Sequence, residues 1–264
     1  MYRANPLKQK LRDAKKVLGC WLHLESTIAA EMLALCGFDF LVIDHEHGPG
    51  SIMGAINTMQ AMNGTDCVPL VRVPWNDTVY LKRILDAGAE AIMVPSVETA
   101  QEAEAVVKAC HYPPKGVRGA GYPLVRASSY GLDGERYRDD NSKELLIICQ
   151  VETVKAVENI DALLAVEGVD MWFIGPMDLS ASVGKLGELE DPEFKAYKRK
   201  AEEAIVASDK MLGGLPWAAD PADAMFARGY DLAVGASDVI MLRESALEHL
   251  KTFRPNQSTD RSTY

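Results

Sequence analysis

Short apolar runs alternate with longer segments of helical periodicity along almost the whole chain. A first strand is predicted over Val17–Leu24 and a helix over Thr27–Cys36, which Gly37 ends. A second strand over Phe38–Asp44 precedes a helix over Ile52–Met62 and a turn at Asn63 and Gly64. Val68–Val73 and Ala91–Val97 read as the third and fourth strands, with helices over Thr78–Ala87 and Ala100–Cys110. Leu145–Val151 and Asp170–Ile174 read as the fifth and sixth, separated by a helix over Lys155–Ala165. PMDLSASVG then reads as a short extra helix or turn, and Glu193–Ser208 as a long helix. A seventh strand over Met211–Pro216, a helix near Pro221–Arg228, an eighth strand over Asp231–Val234 and a last helix over Val239–Thr252 complete the pattern. The polar tail NQSTDRSTY is expected to fray.

Eight strand–helix units in about 250 residues predict an α/β fold, a (β/α)8 TIM barrel. One domain is expected over residues 1–255, with 256–264 as a tail. A doubly wound sheet fits less well, because no GxGxxG follows an early strand and no phosphate-loop lysine motif occurs. Residues 112–131, YPPKGVRGAGYPLVRASSYG, interrupt the rhythm. A loop that long, carrying Lys115, Arg118 and Arg126, is expected to have a function. Its GVRGAG resembles a phosphate loop superficially, since it lies between a helix and the next strand.

Composition narrows the partners. A formal charge of −10 argues against nucleic acid or an anionic membrane as the main partner. No apolar run approaches the ~20 residues of a spanning helix, and MYRANPLKQKLRDAKK lacks a secretory apolar core. Five cysteines without a CxxC pair read as reduced, mostly buried thiols. The expectation is a soluble cytoplasmic protein acting on a small molecule.

A barrel builds its site at the C-terminal ends of its strands, so the polar residues there are the candidates. Strand two ends in Asp44, His45, Glu46 and His47, strand three in Arg72, strand five in Gln150 and Glu152, and strand six runs on to Asp178. No comparable cluster is expected at the other end. LVIDHEHGPG could be a metal cluster, a base with its supports, or a polar strand end. Alternate strand residues face opposite ways, so four adjacent side chains cannot easily converge on one ion. Glu152 and Asp178 suit a hard divalent cation that leaves room for a chelating substrate; helix capping is the competing explanation for each alone. Arg72 suits a substrate carboxylate or enolate oxygen, or it neutralises barrel carboxylates. No predicted strand carries a lysine, so a Schiff base is not expected and carbonyl activation should use a metal.

These motifs resemble the HpcH/HpaI aldolases, metal-dependent class II enzymes acting on pyruvate-type 2-oxo acids. The matching runs are CWLHLESTIAAEMLALCGFDFLVIDHEHGP, VPLVRVPWNDTVYLKRILDAGAEAIMVPSV, YPPKGVRGAG, CQVET and VEGVDMWFIGPMDLSASVG. The resemblance implies cleavage of a 4-hydroxy-2-oxo acid to pyruvate, or a related 2-oxo acid such as hydroxypyruvate, and an aldehyde. It implies a divalent metal on Glu152 and Asp178: Mg2+ or Mn2+ first, with Co2+, Zn2+ or Ni2+ as alternatives. Arg72 would contact the oxo-acid oxygens, Gln150 would lie near the metal, and His47 paired with Asp86 would be the acid/base. Backbone amides around Gly175, Pro176, Met177 and Asp178 would hold the substrate carboxylate. Asp44 and Glu46 would support the site through hydrogen bonds or water. His45, Arg118 and Trp21 are candidates for the acceptor pocket, although His45 stands where the family more often has a small residue. A homo-hexamer (trimer of dimers) or homotrimer is implied, with the last helix exchanged between subunits. A citramalyl-CoA or malyl-CoA lyase and a non-catalytic 2-oxo-acid-binding barrel are the alternatives.

Overall fold

The computed structural model describes residues 2–254, so the 256–264 tail lies outside the described residues. Eight parallel strands close into one barrel, each bonded to the next and the last to the first. They are β1 (Val17–Leu22), β2 (Phe40–Asp44), β3 (Val68–Arg72), β4 (Ala91–Val94), β5 (Leu146–Val151), β6 (Met171–Ile174), β7 (Met211–Gly214) and β8 (Leu232–Ser237). Helix α1 (Pro6–Arg12) precedes β1. Helices α2 (Thr27–Leu35), α3 (Ile52–Ala61), α4 (Thr78–Ala87) and α5 (Ala100–Cys110) follow β1 to β4 in turn, and α6 (Gly134–Glu144) leads into β5. Beyond β5 come α7 (Val154–Glu158) and α8 (Ile160–Leu164), and beyond β6 α9 (Pro176–Ser182) and α10 (Pro192–Val206). Finally α11 (Ala222–Ala227) follows β7, and α12 (Asp238–Phe253) follows β8.

Strand parity divides the core. Phe40, Val42, Leu70, Met93, Ile148 and Phe173 fill the barrel. Leu41, Ile43, Val71, Ile92, Ile147 and Trp172 face the helices. Both faces are buried, so these strands read as continuous apolar runs. Gly19 is a close-approach position: a Cβ there would lie 2.3 Å from the Phe40 ring. Gly19→Ala should therefore cost about 1–3 kcal/mol by overpacking, read as a lower Tm by calorimetry. An unchanged Tm would mean that Phe40 swings aside.

Two helices went unread in the sequence. In α1, Leu7 and Leu11 join the barrel-filling cluster while Asn5 caps its first amides. Helix α6 has the sequence GERYRDDNSKE and buries Gly134, Tyr137 and Asn141, so no apolar stripe marks it. The helix predicted over Lys155–Ala165 is two short ones, parted at Asn159, whose side-chain amide donates to the Glu98 carbonyl at 2.9 Å. Strand β8 runs on to Ser237, three residues past its predicted end.

Chain direction fixes which face each segment occupies. Helices run back against the strands, so the 112–131 loop, between α5 and β5, lies on the N-terminal face. That face is not bare, contrary to the sequence expectation. Arg3 pairs with Glu90 at 3.0 Å, Lys8 with Asp170 at 2.9 Å and Arg118 with Asp86 at 2.7 Å. A cavity of about 420 Å³ lies among Arg3, Met59, Leu85, Glu90, Arg126 and Tyr137. Strand ends gave no sign of it, because helix ends and the loop supply these residues. Among the described residues, no helix is long and apolar enough to cross a membrane.

Candidate active site

The inward parity that buries Phe40 and Val42 also turns Asp44 into the barrel mouth, paired in register with Arg72 of β3. Arg72 Nε donates to Asp44 Oδ1 at 2.8 Å and Nη2 to Oδ2 at 2.6 Å. Its Nη1 lies 2.9 Å from Glu46 Oε2, and the guanidinium stacks 4.3 Å above the Trp21 ring. Three edges of the guanidinium plane are thus engaged, which leaves it one orientation. Burial alone would raise the Asp44 carboxyl, but hydrogen bonds from His23 and Arg72 hold it well below the usual carboxylate range. Glu46 is raised by burial, with the charges of Asp44 and Asp178 adding to the effect and Arg72 opposing it.

Across the mouth, the same parity brings Gln150 and Glu152 inward. Glu152 is 3% exposed. Its Oε1 accepts from Ser96 N at 2.6 Å and from Ser96 Oγ at 3.2 Å, and its Oε2 accepts from the Gln150 amide. Ser96 takes φ 54 to present both donors, a left-handed conformation uncommon for a non-glycine residue. Burial pushes the Glu152 carboxyl up to about 7, and the neighbouring charges of Glu46 and Asp178 push the same way. Gly175 leaves the space above it open, since a Cβ would lie 2.6 Å from Glu152 Oε2. Asp178 is exposed in the first turn of α9, whose end has no side-chain cap. Pro176 has no N–H to offer, so Met177 and Asp178 carry the amides there.

Glu46 thus faces Glu152 and Asp178 across the mouth, close enough that Glu152 feels both other charges, and Gln150 Oε1 is buried without a partner. This donor set fits a hard divalent cation, with Glu152 and Asp178 as its carboxylates and open positions left for substrate oxygens. Among the described residues, no group of three or more His, Cys, Asp or Glu side chains is arranged to hold a metal. Among the described residues, no strand carries a lysine, and the two buried lysines are ion-paired elsewhere, Lys8 with Asp170 and Lys198 with Asp220.

Three of the predicted site residues lie away from this mouth. His45 turns away from the mouth to the strand–helix layer, where its Nδ1 meets Tyr80 Oη at 2.6 Å and its ring lies against Gly50. Alternation from Asp44 forces this, so it does not line an acceptor pocket in its own barrel. Arg118 is buried on the N-terminal face, donating to Asp86 and Tyr137 at 2.7 and 2.9 Å, and so is not part of this mouth either. Asp86 lies at the C-terminal end of α4, the opposite barrel face from His47, and the two do not pair within one chain. His47 itself is exposed at the mouth, 3.9 Å from Glu46 Oε2. Trp21, also named for the acceptor pocket, lies beneath Arg72 as the apolar floor of the mouth.

Sequence reasoning missed His23 and Ser96. His23 follows Trp21 by two residues, so inward parity alone could have found it. Its Nε2 lies 3.1 Å from Asp44 Oδ2. Nothing in the run VPSV distinguishes Ser96.

Fold and site together describe a barrel enzyme that gathers an arginine and several carboxylates at its C-terminal mouth. The family model for HpcH/HpaI aldolase/citrate lyase matches residues 17–244, and the chain belongs to that family of lyases. A hydroxypyruvate/pyruvate aldolase of Roseobacter denitrificans is 39% identical over 90% of this chain and 93% of its own. A 4-hydroxy-2-oxo-heptane-1,7-dioate aldolase of Escherichia coli is 40% identical over 79% of each chain. Among solved structures, an HpcH/HpaI aldolase/citrate lyase family protein from Burkholderia cenocepacia J2315 superposes with a TM-score of 0.90. It is 33% identical and covers 95% of this chain and 99% of its own.

Proposed function

We propose that the protein is a class II aldolase that reversibly cleaves a 4-hydroxy-2-oxo acid to an aldehyde and pyruvate or hydroxypyruvate. The observation that carries the reading is the Arg72 guanidinium, locked by Asp44 and Glu46 opposite the Glu152–Asp178 carboxylates. The names of the relatives support the choice of donor acid. A divalent ion held by Glu152 and Asp178, Mg2+ or Mn2+ by donor hardness, supplies Lewis-acid polarisation of the 2-oxo group.

The chain's own residues do the rest. His47 takes the proton of the 4-hydroxyl, the C3–C4 bond breaks, and the aldehyde leaves. The bonding pair stays on the donor as an enolate, whose oxygen faces the fixed positive charge of Arg72. Return of a proton to C3 completes the 2-oxo acid. The amides of Met177 and Asp178, at the uncapped start of α9, would receive the substrate carboxylate.

Assembly belongs to the same reading. Asp238 is the only buried residue of α12, whose Ile240, Leu242 and Phe253 are exposed, as are Ile28, Met32 and Leu35 of α2. Apolar surface of that extent suits packing of α12 on a second copy, in a homotrimer or homo-hexamer. Any His47–Asp86 pair would then form between subunits.

The test is pyruvate or hydroxypyruvate release from a panel of 4-hydroxy-2-oxo acids, before and after chelation. Turnover should vanish in EDTA and return with Mg2+ or Mn2+. Undiminished turnover after exhaustive chelation would defeat the metal role; no release from any panel member would defeat the aldolase reading.

A further inference from the structure

The aldol chemistry just described leaves His23 without a role, yet it stands in the barrel mouth between two acids. Its Nε2 lies 3.1 Å from Asp44 Oδ2, the oxygen that also receives Arg72 Nη2. Its Nδ1 lies 3.2 Å from Ser237 Oγ and 3.8 Å from Asp238 Oδ1. Asp238 in turn accepts the His23 and Leu24 amides, at 2.9 and 3.0 Å. The end of β1 is thereby fastened to the first residue of α12. Trp21 packs beside the imidazole, with ring centroids 6.1 Å apart, on the same inner face that supports Arg72.

We propose that His23 is a positioning residue of the aldol site: it anchors Asp44 Oδ2 to the Ser237–Asp238 start of α12 and so fixes the aim of Arg72. The inference rests on the aldolase reading for its kinetic consequence and on geometry for its structural one. Asp44 Oδ1 is already held by the Glu46 and His47 amides at 3.1 and 3.4 Å and by Arg72 Nε. Oδ2 has Arg72 and His23 as partners. Without the imidazole, the carboxylate is anchored on one side and free to pivot about it, carrying the guanidinium along. The neighbouring carboxylates of Asp238 and Asp44 raise the imidazole to about 9, so it is a cation at neutral pH with an N–H on both nitrogens. When it is neutral, the Ser237 hydroxyl can donate to Nδ1 while Nε2–H keeps Asp44. The anchor therefore depends on two aligned nitrogens more than on charge.

Three substitutions and two measurements test this. In His23→Ala, kcat/KM for the hydroxy-oxo acid should fall about tenfold, the size of one lost hydrogen bond to a charged group, mainly through kcat. His23→Gln, which can donate to Asp44 and accept from Ser237, should recover most of that loss. Asp238→Ala should reproduce part of it. Crystal structures of the Ala and Gln proteins should show the Asp44–Arg72 pair displaced in the first and in place in the second. Unchanged kcat/KM in a folded Ala variant, Gln no better than Ala, or an unmoved Arg72 would each overturn the proposal. If the wild-type protein cleaves no 4-hydroxy-2-oxo acid, the aldolase reading fails, and the position of Arg72 in the variant crystals still decides the role of His23.

Discussion

Arg72→Ala is expected to lower kcat for aldol cleavage by about 10²–10³-fold, the scale of losing one preorganised charge partner of an oxyanion. The guanidinium is fixed before substrate arrives, so its attraction for the developing enolate oxygen carries no reorganisation cost. Arg72→Lys should fail nearly as badly. An ammonium cannot reproduce the paired Nε and Nη2 bonds to Asp44, the Nη1 contact with Glu46 and the stack on Trp21 at once. Stability should suffer in the Ala variant too, by about 3–5 kcal/mol, because Asp44 and Glu46 lose their buried counter-charge. Circular dichroism melts beside active-fraction-corrected kcat separate the two effects. A lysine variant with near wild-type kcat would show that bulk positive charge suffices and that the locked geometry is irrelevant.

Much of this site was legible because strand parity is rigid. Once β2, β3 and β5 are placed, Asp44, Arg72, Gln150 and Glu152 must share the inner face and His45 must leave it. His23 obeys the same rule and lies inside the predicted first strand, but a single histidine among apolar neighbours did not mark a site. The barrel was legible from eight repeats of apolar run and helical period. Helix α6 was not, because a surface helix burying three residues shows no stripe. Asp86 and Arg118 illustrate a different limit. Their motifs were readable, yet motif order does not say which barrel face a residue occupies. Chain direction does: a helix leaving the C-terminal face ends at the other one, so Asp86 near the end of α4 lies opposite to His47. Ser96 depends on a left-handed backbone after β4, fixed by tertiary contacts and not by local residue preference.

Glu152→Gln should raise stability and abolish metal-restored activity in the same molecule. Glu152 is a carboxyl buried to 3% exposure, whose charged form is disfavoured by burial and by the charges of Glu46 and Asp178. Replacing it with a neutral near-isostere removes both the burial cost and the repulsion. The substituted side chain can still be satisfied. Its oxygen accepts from Ser96 N and Oγ, and its amide nitrogen donates to Gln150 Oε1, which has no partner at present, once the Gln150 amide turns over. In EDTA, the variant should therefore melt a few degrees above the wild-type protein. Added Mg2+ or Mn2+ should reverse the order. A cation binding only the folded state stabilises it by RT ln(1 + [L]/Kd), about 2.7 kcal/mol at a hundredfold excess over Kd, and the variant lacks one of the two proposed carboxylates. Thermal melts of both proteins, with and without metal, thus read the site without any assay of turnover. Equal metal-induced shifts in the two proteins would remove Glu152 from the metal site, whatever the kinetics showed. A higher melting point in EDTA, with no response to metal and no turnover, would identify Glu152 as a residue kept for chemistry at the expense of stability.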